Sequence, residues 1–165
     1  NERRLQCEKA ASFFEVKALR DLSLENLLSS EKELDPVVFR RARHVVTENQ
    51  RVLSFIKALE SGNPEKAGQL MNESHHSLRD DFEVSSEALD LISECARESP
   101  GCYGARMTGG GFAGCGVALV DASRVQTFLS QVSKKYFSAT GKTPQLYSCS
   151  PADGTTVFDY QGKNP

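Results

Sequence analysis

The spacing of apolar residues changes once along this chain. From residue 2 to about residue 98 they recur every three or four positions, the period of a helix with one buried face. Between Cys102 and Val120 they alternate, the period of a strand. In residues 2 to 16, Leu5, Phe13 and Val16 lie at helical spacing and predict a first helix. Leu24, Leu27 and Leu28 predict a short one between Asp21 and Ser30. Asp35-Pro36 joins a capping side chain to a proline at the first helical position. A long stripe follows it: Val38, Ala42, Val45, Val52, Ile56 and Leu59, stopped by Gly62. Asn63-Pro64 repeats the start signal for a helix with Ala67, Leu70, Met71, Ser74 and Leu78 on one face. These two helices are expected to pair antiparallel.

After a polar stretch, Arg79 to Glu87, a short helix turns Leu89, Ile92 and Ala96 inward until Ser99-Pro100-Gly101 breaks it. Tyr103, Ala105 and Met107 then alternate with Gly104, Arg106 and Thr108, and Cys115, Val117 and Leu119 with Gly116, Ala118 and Val120. Two strands joined by a glycine-rich loop follow from this pattern. Ser123 with Gln126 fits a capping box, opening a helix with Val125, Phe128, Leu129, Val132 and Tyr136 on its apolar face. Gln145 to Ser150 and Thr155 to Tyr160 read as further strands. Helices followed by strand, strand, helix and strand predict an α+β fold: an antiparallel sheet with helices packed on one face and additional N-terminal helices.

Composition narrows the role. With 165 residues the chain has room for one domain with a proper core. A net charge of -2 argues against a nucleic-acid or membrane-surface partner, both of which favour a basic excess. No apolar run approaches the roughly 20 residues of a membrane span. The opening N-E-R-R-L-Q-C-E has the pattern of a helix rather than a signal peptide and carries no initiator methionine, as expected of a piece of a longer protein. Five cysteines without a C-x-x-C pair read as reduced thiols of a cytoplasmic protein, not as a zinc site or a disulfide framework.

The candidate chemistry lies in Thr108-Gly109-Gly110-Gly111-Phe112-Ala113-Gly114. Clustered glycines let backbone N–H groups converge on an anion, because no side chain blocks the approach and φ > 0 is cheap. A Walker loop is excluded, since no lysine stands between Arg106 and Lys134. A dinucleotide-binding loop runs from strand to helix, whereas here a strand follows. A protein-kinase loop needs a lysine in the following strand and a later H-R-D; Leu78-Arg79-Asp80 imitates the latter but precedes the glycines. A plain hairpin needs one or two glycines, fewer than are present.

G-A-R-M-T-G-G-G-F-A-G-C-G-V-A-L-V, residues 104 to 120, resembles the third conserved motif of galactokinases, members of the GHMP small-molecule kinase family. R-R-A-R-H-V-V-T-E-N at 40 to 49 and M-N-E-S-H-H-S-L-R-D-D-F-E-V-S-S-E-A-L-D at 71 to 90 resemble galactokinase sequence too, as does the opening segment. The resemblance runs in the family's order from Asn1 to about Gly154 and concerns its C-terminal part. The family's sugar-binding motif, serine-rich phosphate loop and catalytic aspartate have no counterpart. The resemblance implies a GHMP C-terminal, ferredoxin-like domain. Residues 1–34 would be a helical lead-in, 35–99 helices, and 100–160 the glycine-loop hairpin, helix and strands. It further implies that the parent transfers the γ-phosphate of ATP, with Mg²⁺, to the 1-hydroxyl of galactose. The partner of this chain would be its own N-terminal kinase domain, and the chain alone would be inactive. A sensing relative, or a kinase for another sugar such as N-acetylgalactosamine, is the alternative; a free-standing interaction module is a third.

By that resemblance, Thr108 to Gly114 form one wall of the phosphoryl-transfer cleft, with no catalytic residue and no metal ligand in this chain. Arg79, Asp80 and Asp81 are candidate cleft-lining residues, weighed evenly against a solvated turn. Ala113 stands where the family more usually has glycine; an αL backbone there would cost about 1 kcal/mol. Phe82 stands where tyrosine is common. Adjacent His75 and His76 diverge by about 100° on a helix and cannot share a metal. His44 with Glu48 reads as a structural i, i+4 pair, and Arg40, Arg41, Arg43 and Arg51 as partners for nearby acids.

Overall fold

Four helices begin on a side chain that accepts from the first turn. Ser23 receives the Asn26 N–H at 3.1 Å, and Asp35 those of Val37 and Val38 at 2.9 and 3.1 Å. Asn63 receives that of Lys66 at 2.9 Å, and Ser86 that of Leu89 at 3.4 Å. Each cap supplies an acceptor to a donor the helix itself leaves unpaired. The computed structural model describes residues 1–155. Its helices are α1 (Glu2–Phe13), α2 (Leu24–Ser29), α3 (Pro36–Glu60), α4 (Pro64–Asp80) and α5 (Glu87–Arg97). Strands β1 (Cys102–Thr108) and β2 (Cys115–Val120) follow, then α6 (Val125–Thr140), closed by Gly141 at φ 68°. The fold is a mostly helical α+β arrangement around an antiparallel two-stranded sheet.

Helices α3 and α4 run antiparallel. Arg43 meets Asp81, His44 meets Ser77 and Glu48 meets Ser74, a register in which one helix descends as the other rises. The sheet is covered on two sides, not one. Ala118 and Val120 pack with Cys95, Ala96, Phe128 and Val132 of α5 and α6. Leu119, pointing the other way, packs with Ala58, Ala67 and Leu70 of α3 and α4. Neighbouring strand residues face opposite sides, so both of its faces had helices available to cover.

Helix α4 also seals one edge of the sheet. The β1 amides of Ala105 and Met107 donate to Asn72 Oδ1 at 2.9 Å and His75 Nδ1 at 3.2 Å. Two side chains three residues apart on α4 thus stand in for a neighbouring strand at these two amides. The approach needs glycine on both partners. A Cβ on Gly68 would lie 2.0 Å from the Tyr103 carbonyl oxygen, and one on Gly104 2.0 Å from that of Gly68.

Several expected details differ. In α1 the buried residue is Ala10, supported by Cys7, Ala11 and Phe14, while Leu5 and Phe13 are exposed. The face of α1 is chosen by contact with α3 and the turn at Leu19 and Leu22, not by its largest side chains. In α2 only Leu27 is buried. The α3 stripe turns inward through Val38 and Ala42, but Val52, Ile56 and Leu59 are exposed. The capping box at Ser123 does not form; Asp121 instead accepts from the Ser123 amide at 2.8 Å and caps a 3-10 turn before α6. Gln145 to Ser150 forms no strand, because no strand lies beside it among the described residues; Leu146 still packs on the α5–α6 core. The expected strand from Thr155 to Tyr160 falls outside the described residues beyond Thr155.

Because the α4–β1 contact leaves no room for a methyl group, Gly68→Ala should destabilise the fold by about 1–3 kcal/mol. Gly62→Ala, which meets no neighbour, costs only the strain of a left-handed backbone at φ 64°. Urea denaturation of the two variants checks this, and a Gly68→Ala midpoint equal to that of the unsubstituted protein would rule out the close contact.

Candidate functional site

The glycine loop is held at its roots and open at its tip. Met107, the last buried residue of β1, has its N–H on His75 and its carbonyl on Arg106 Nε at 3.0 Å. Beyond it Gly109, Gly111 and Gly114 take φ of 84°, 83° and 133°. Phe112 is also left-handed, at φ 60°, and 64% exposed. Ala113 is not left-handed, so the backbone there accommodates alanine without the cost a left-handed position would carry; the left-handed non-glycine is its neighbour Phe112.

Two of the glycines answer different needs. Gly111 is pressed against the turn after α4: a Cβ there would lie 2.1 Å from the Val84 carbonyl oxygen. That same oxygen accepts the Phe112 N–H at 2.7 Å. Gly110 has no left-handed φ, and a methyl group on its Cα would meet no atom within 4 Å, so nothing in the fold demands glycine there. The N–H groups of Gly109 and Gly110 find no acceptor among the described residues. The loop therefore presents bare, unblocked backbone donors, the arrangement that suits an approaching anion.

The acidic candidates lie in the turn that holds this loop, and they are already paired. Arg79 and Asp80 bind each other at 2.7 and 3.0 Å at the exposed end of α4, and this hydrogen bond holds the Asp80 carboxyl below its ordinary range. Asp81 binds Arg43 and accepts from Ser77 Oγ at 3.1 Å. Glu83 binds Arg41 at 2.5 Å and Arg40 at 2.9 Å, and Arg41 foremost draws its carboxyl downward. Arg3 reaches from α1 to the carbonyls of Phe82 and Glu83 at 2.6 and 2.8 Å. The arginine-rich stretch of α3 is thus consumed in ion pairs, as its acidic neighbours led one to expect. The acids it holds are not a free metal-binding set.

Two of the three histidines are bonded into the fold. His44 does not pair with Glu48; it bonds Ser77 Oγ at 3.0 Å and stacks on Phe82 with ring centroids 4.5 Å apart. Glu48 instead joins Arg51, Ser74 and Arg106. This polar group closes one end of a cavity of about 350 Å³ whose other walls include Val52, Phe55, Met71 and Val117; Thr108 at the loop's root also lines it. His75 is fully buried while His76 is exposed, and their rings stand 6.4 Å apart. Since His75 Nδ1 accepts from Met107, its proton sits on Nε2, which lies 3.1 Å from Asp90 Oδ1 without hydrogen-bond alignment. Val84, Asn72 and His75 are the positioning residues that periodicity did not single out; only the polar Asn72 and His75 among the α4 positions facing β1 carried a signal.

Residues 55–138, about half of the chain, match the family described as GHMP kinases C terminal. The chain belongs to the GHMP kinase family. Within that family it corresponds to the C-terminal portion of galactokinases. It is 49% identical over 161 residues to the galactokinase of Pasteurella multocida (strain Pm70), covering 95% of this chain and 42% of that protein. Against the galactokinase of Roseiflexus sp. (strain RS-1) it is 44% identical over 159 residues, covering 93% and 41%. A crystal structure of Lactococcus lactis galactokinase complexed with galactose superposes with a TM-score of 0.81 at 38% identity, over 87% of this chain and 38% of that one. The chain spans about two-fifths of the length of these relatives.

Burial lowers the pKa of both His44 and His75 below the ordinary value of 6.5. The unfolded chain therefore takes up protons first as pH falls through about 6.5, and the fold loses stability from there downward. Urea unfolding should give a smaller free energy at pH 5.5 than at pH 7.5, with a shallower dependence in His75→Gln. Equal stability at the two pH values would contradict neutral, buried histidines.

Proposed function

We propose that this chain is the C-terminal portion of an ATP-dependent galactokinase, whose parent transfers the γ-phosphate of ATP to the 1-hydroxyl of galactose. The observation that carries this reading is Gly110: a glycine the described fold does not require, with an exposed N–H that no described residue accepts, beside a second such donor at Gly109. Phosphoryl transfer is chiefly positioning and charge stabilisation, so backbone donors serve it without reactive side chains. Thr108 to Gly114 would line the phosphate side of the cleft. The reacting groups would come from the N-terminal kinase domain, to which residues 1–34 lead. The naming of the relatives supports galactose as the sugar. The fold-completing part of the proposal is a ferredoxin-like sheet: two strands alone are marginal, and Cys115 to Val117 of β2 are exposed. A cytoplasmic site accords with thiols of Cys95 and Cys102 that burial pushes upward and so keeps unreactive.

The acids near the loop do not fit a Mg²⁺ site. Asp80, Asp81 and Glu83 each face an arginine, and no group of three metal-ligating side chains occurs among the described residues. Arg79 and Asp80 remain cleft-lining candidates as a neutral, mutually bonded pair at the exposed end of α4, whereas Asp81 serves the turn.

Two measurements test the reading. Purified residues 1–165 should show no ATP- and galactose-dependent phosphorylation, while the longer protein should show it; an inactive longer protein defeats the assignment. In that longer protein Gly110→Ala should leave the denaturation free energy within about 0.5 kcal/mol and lower kcat/KM by about tenfold or more, the effect of obstructing one backbone donor. Unchanged turnover would remove the loop tip from the cleft.

A further inference from the structure

Within the glycine loop, the Ala113 N–H bonds the Gly111 carbonyl at 2.7 Å, but its fastening to the rest of the fold lies in the Asp81–Val84 turn. Val84 ties the loop's middle to the body of the fold twice, through the 2.7 Å bond from Phe112 N–H and the contact that excludes a side chain at Gly111. Val84 is itself buried with Leu78, Leu89 and Met107, and its N–H returns to the Leu78 carbonyl at 3.0 Å. The residue before it, Glu83, is left-handed at φ 52°, a conformation unfavourable for any residue with a side chain and kept only where surroundings impose it.

The imposing group is Arg41. It is 2% exposed, and its three donors join α1 to two points of the turn. Nε bonds Gln6 Oε1 on α1 at 3.0 Å, Nη1 the Asp81 carbonyl at 2.5 Å and Nη2 the Glu83 carboxylate at 2.5 Å. A planar guanidinium fixes direction as well as distance, so one side chain sets both ends of the turn relative to α3. Arg40 and Arg3 add a second bond to the carboxylate and two to the turn's carbonyls.

We propose that Arg41 is a positioning residue for the glycine loop, acting through the Asp81–Val84 turn and the Val84 carbonyl. It touches no reacting group. It sets where the Gly109 and Gly110 donors stand relative to the opposite wall of the cleft, and its consequence for turnover rests on the phosphoryl-transfer reading above.

The test uses the longer protein, with Arg41→Lys, which keeps the charge but loses the fork, and Glu83→Gln, which keeps the shape and an acceptor but loses the charge. Hydrogen exchange at the Phe112 amide should accelerate about tenfold or more in Arg41→Lys and less in Glu83→Gln, while amides in the middle of α6 stay protected. With ATP and galactose, kcat should fall about tenfold with KM for either substrate within about twofold, since misplaced donors act on the transition state. If Arg41→Lys does not fold, Glu83→Gln carries the test alone. A folded variant whose Phe112 exchange matches the unsubstituted protein overturns the proposal. Faster exchange with no phosphorylation by the unsubstituted protein would leave the positioning role standing and defeat the kinase reading instead. Faster exchange with unchanged kcat would overturn the link from the clamp to chemistry.

Discussion

The close approach of α4 to β1 governs the arrangement of everything around it. Two glycines, Gly68 and Gly104, let a helix backbone lie against a strand backbone, where a methyl group on either would sit 2.0 Å from a carbonyl oxygen. At that separation Asn72 and His75 reach the outward amides of Ala105 and Met107 and accept from them. Buried amides left unpaired would cost roughly 1–3 kcal/mol each, so the two side chains stabilise the edge as well as hide it. With α4 fixed, α3 follows through its antiparallel seam, and the C-terminal end of α4 delivers the turn that meets the glycine loop.

From that frame a division of labour emerges between side chains and backbone. Arginines of α1 and α3 hold the Asp81–Val84 turn, and the turn holds the loop by one carbonyl. Such an arrangement suits a wall of a phosphate site, in which donors must be stationary before charge develops. The buried Arg41 guanidinium has three acceptors, Gln6, the Asp81 carbonyl and the Glu83 carboxylate, so its burial leaves no donor nitrogen unpaired.

Much of this was legible from the residues in order. Asp35-Pro36 and Asn63-Pro64 announced two helices whose caps form as expected, and the change from helical to alternating spacing located both strands. The glycine loop stood out because its glycines exceed what a hairpin requires. Less legible were the inward faces of α1 and α2, where Ala10 and Leu27 are buried and Leu5 and Leu28 are not. Burial there is decided by which neighbour lies within reach, and hydrophobicity alone does not name the neighbour. The stretch Gln145 to Ser150 has strand composition, yet a strand exists only beside another strand.

The linear chain by itself determined the helix starts, the strand pair, the loop and membership of its family, because caps, periodicity and motif spacing are local properties. Tertiary structure decided which glycine serves which purpose. Gly111 serves contact with Val84, Gly68 contact with the Tyr103 carbonyl and Gly104 contact with Gly68, while Gly110 meets nothing among the described residues. It also decided that Arg41 and Glu83, 42 residues apart, share an ion pair whose arginine is buried and whose carboxylate is exposed. Steric exclusion and charge pairing act through space, so they become visible only once distant segments have been brought together.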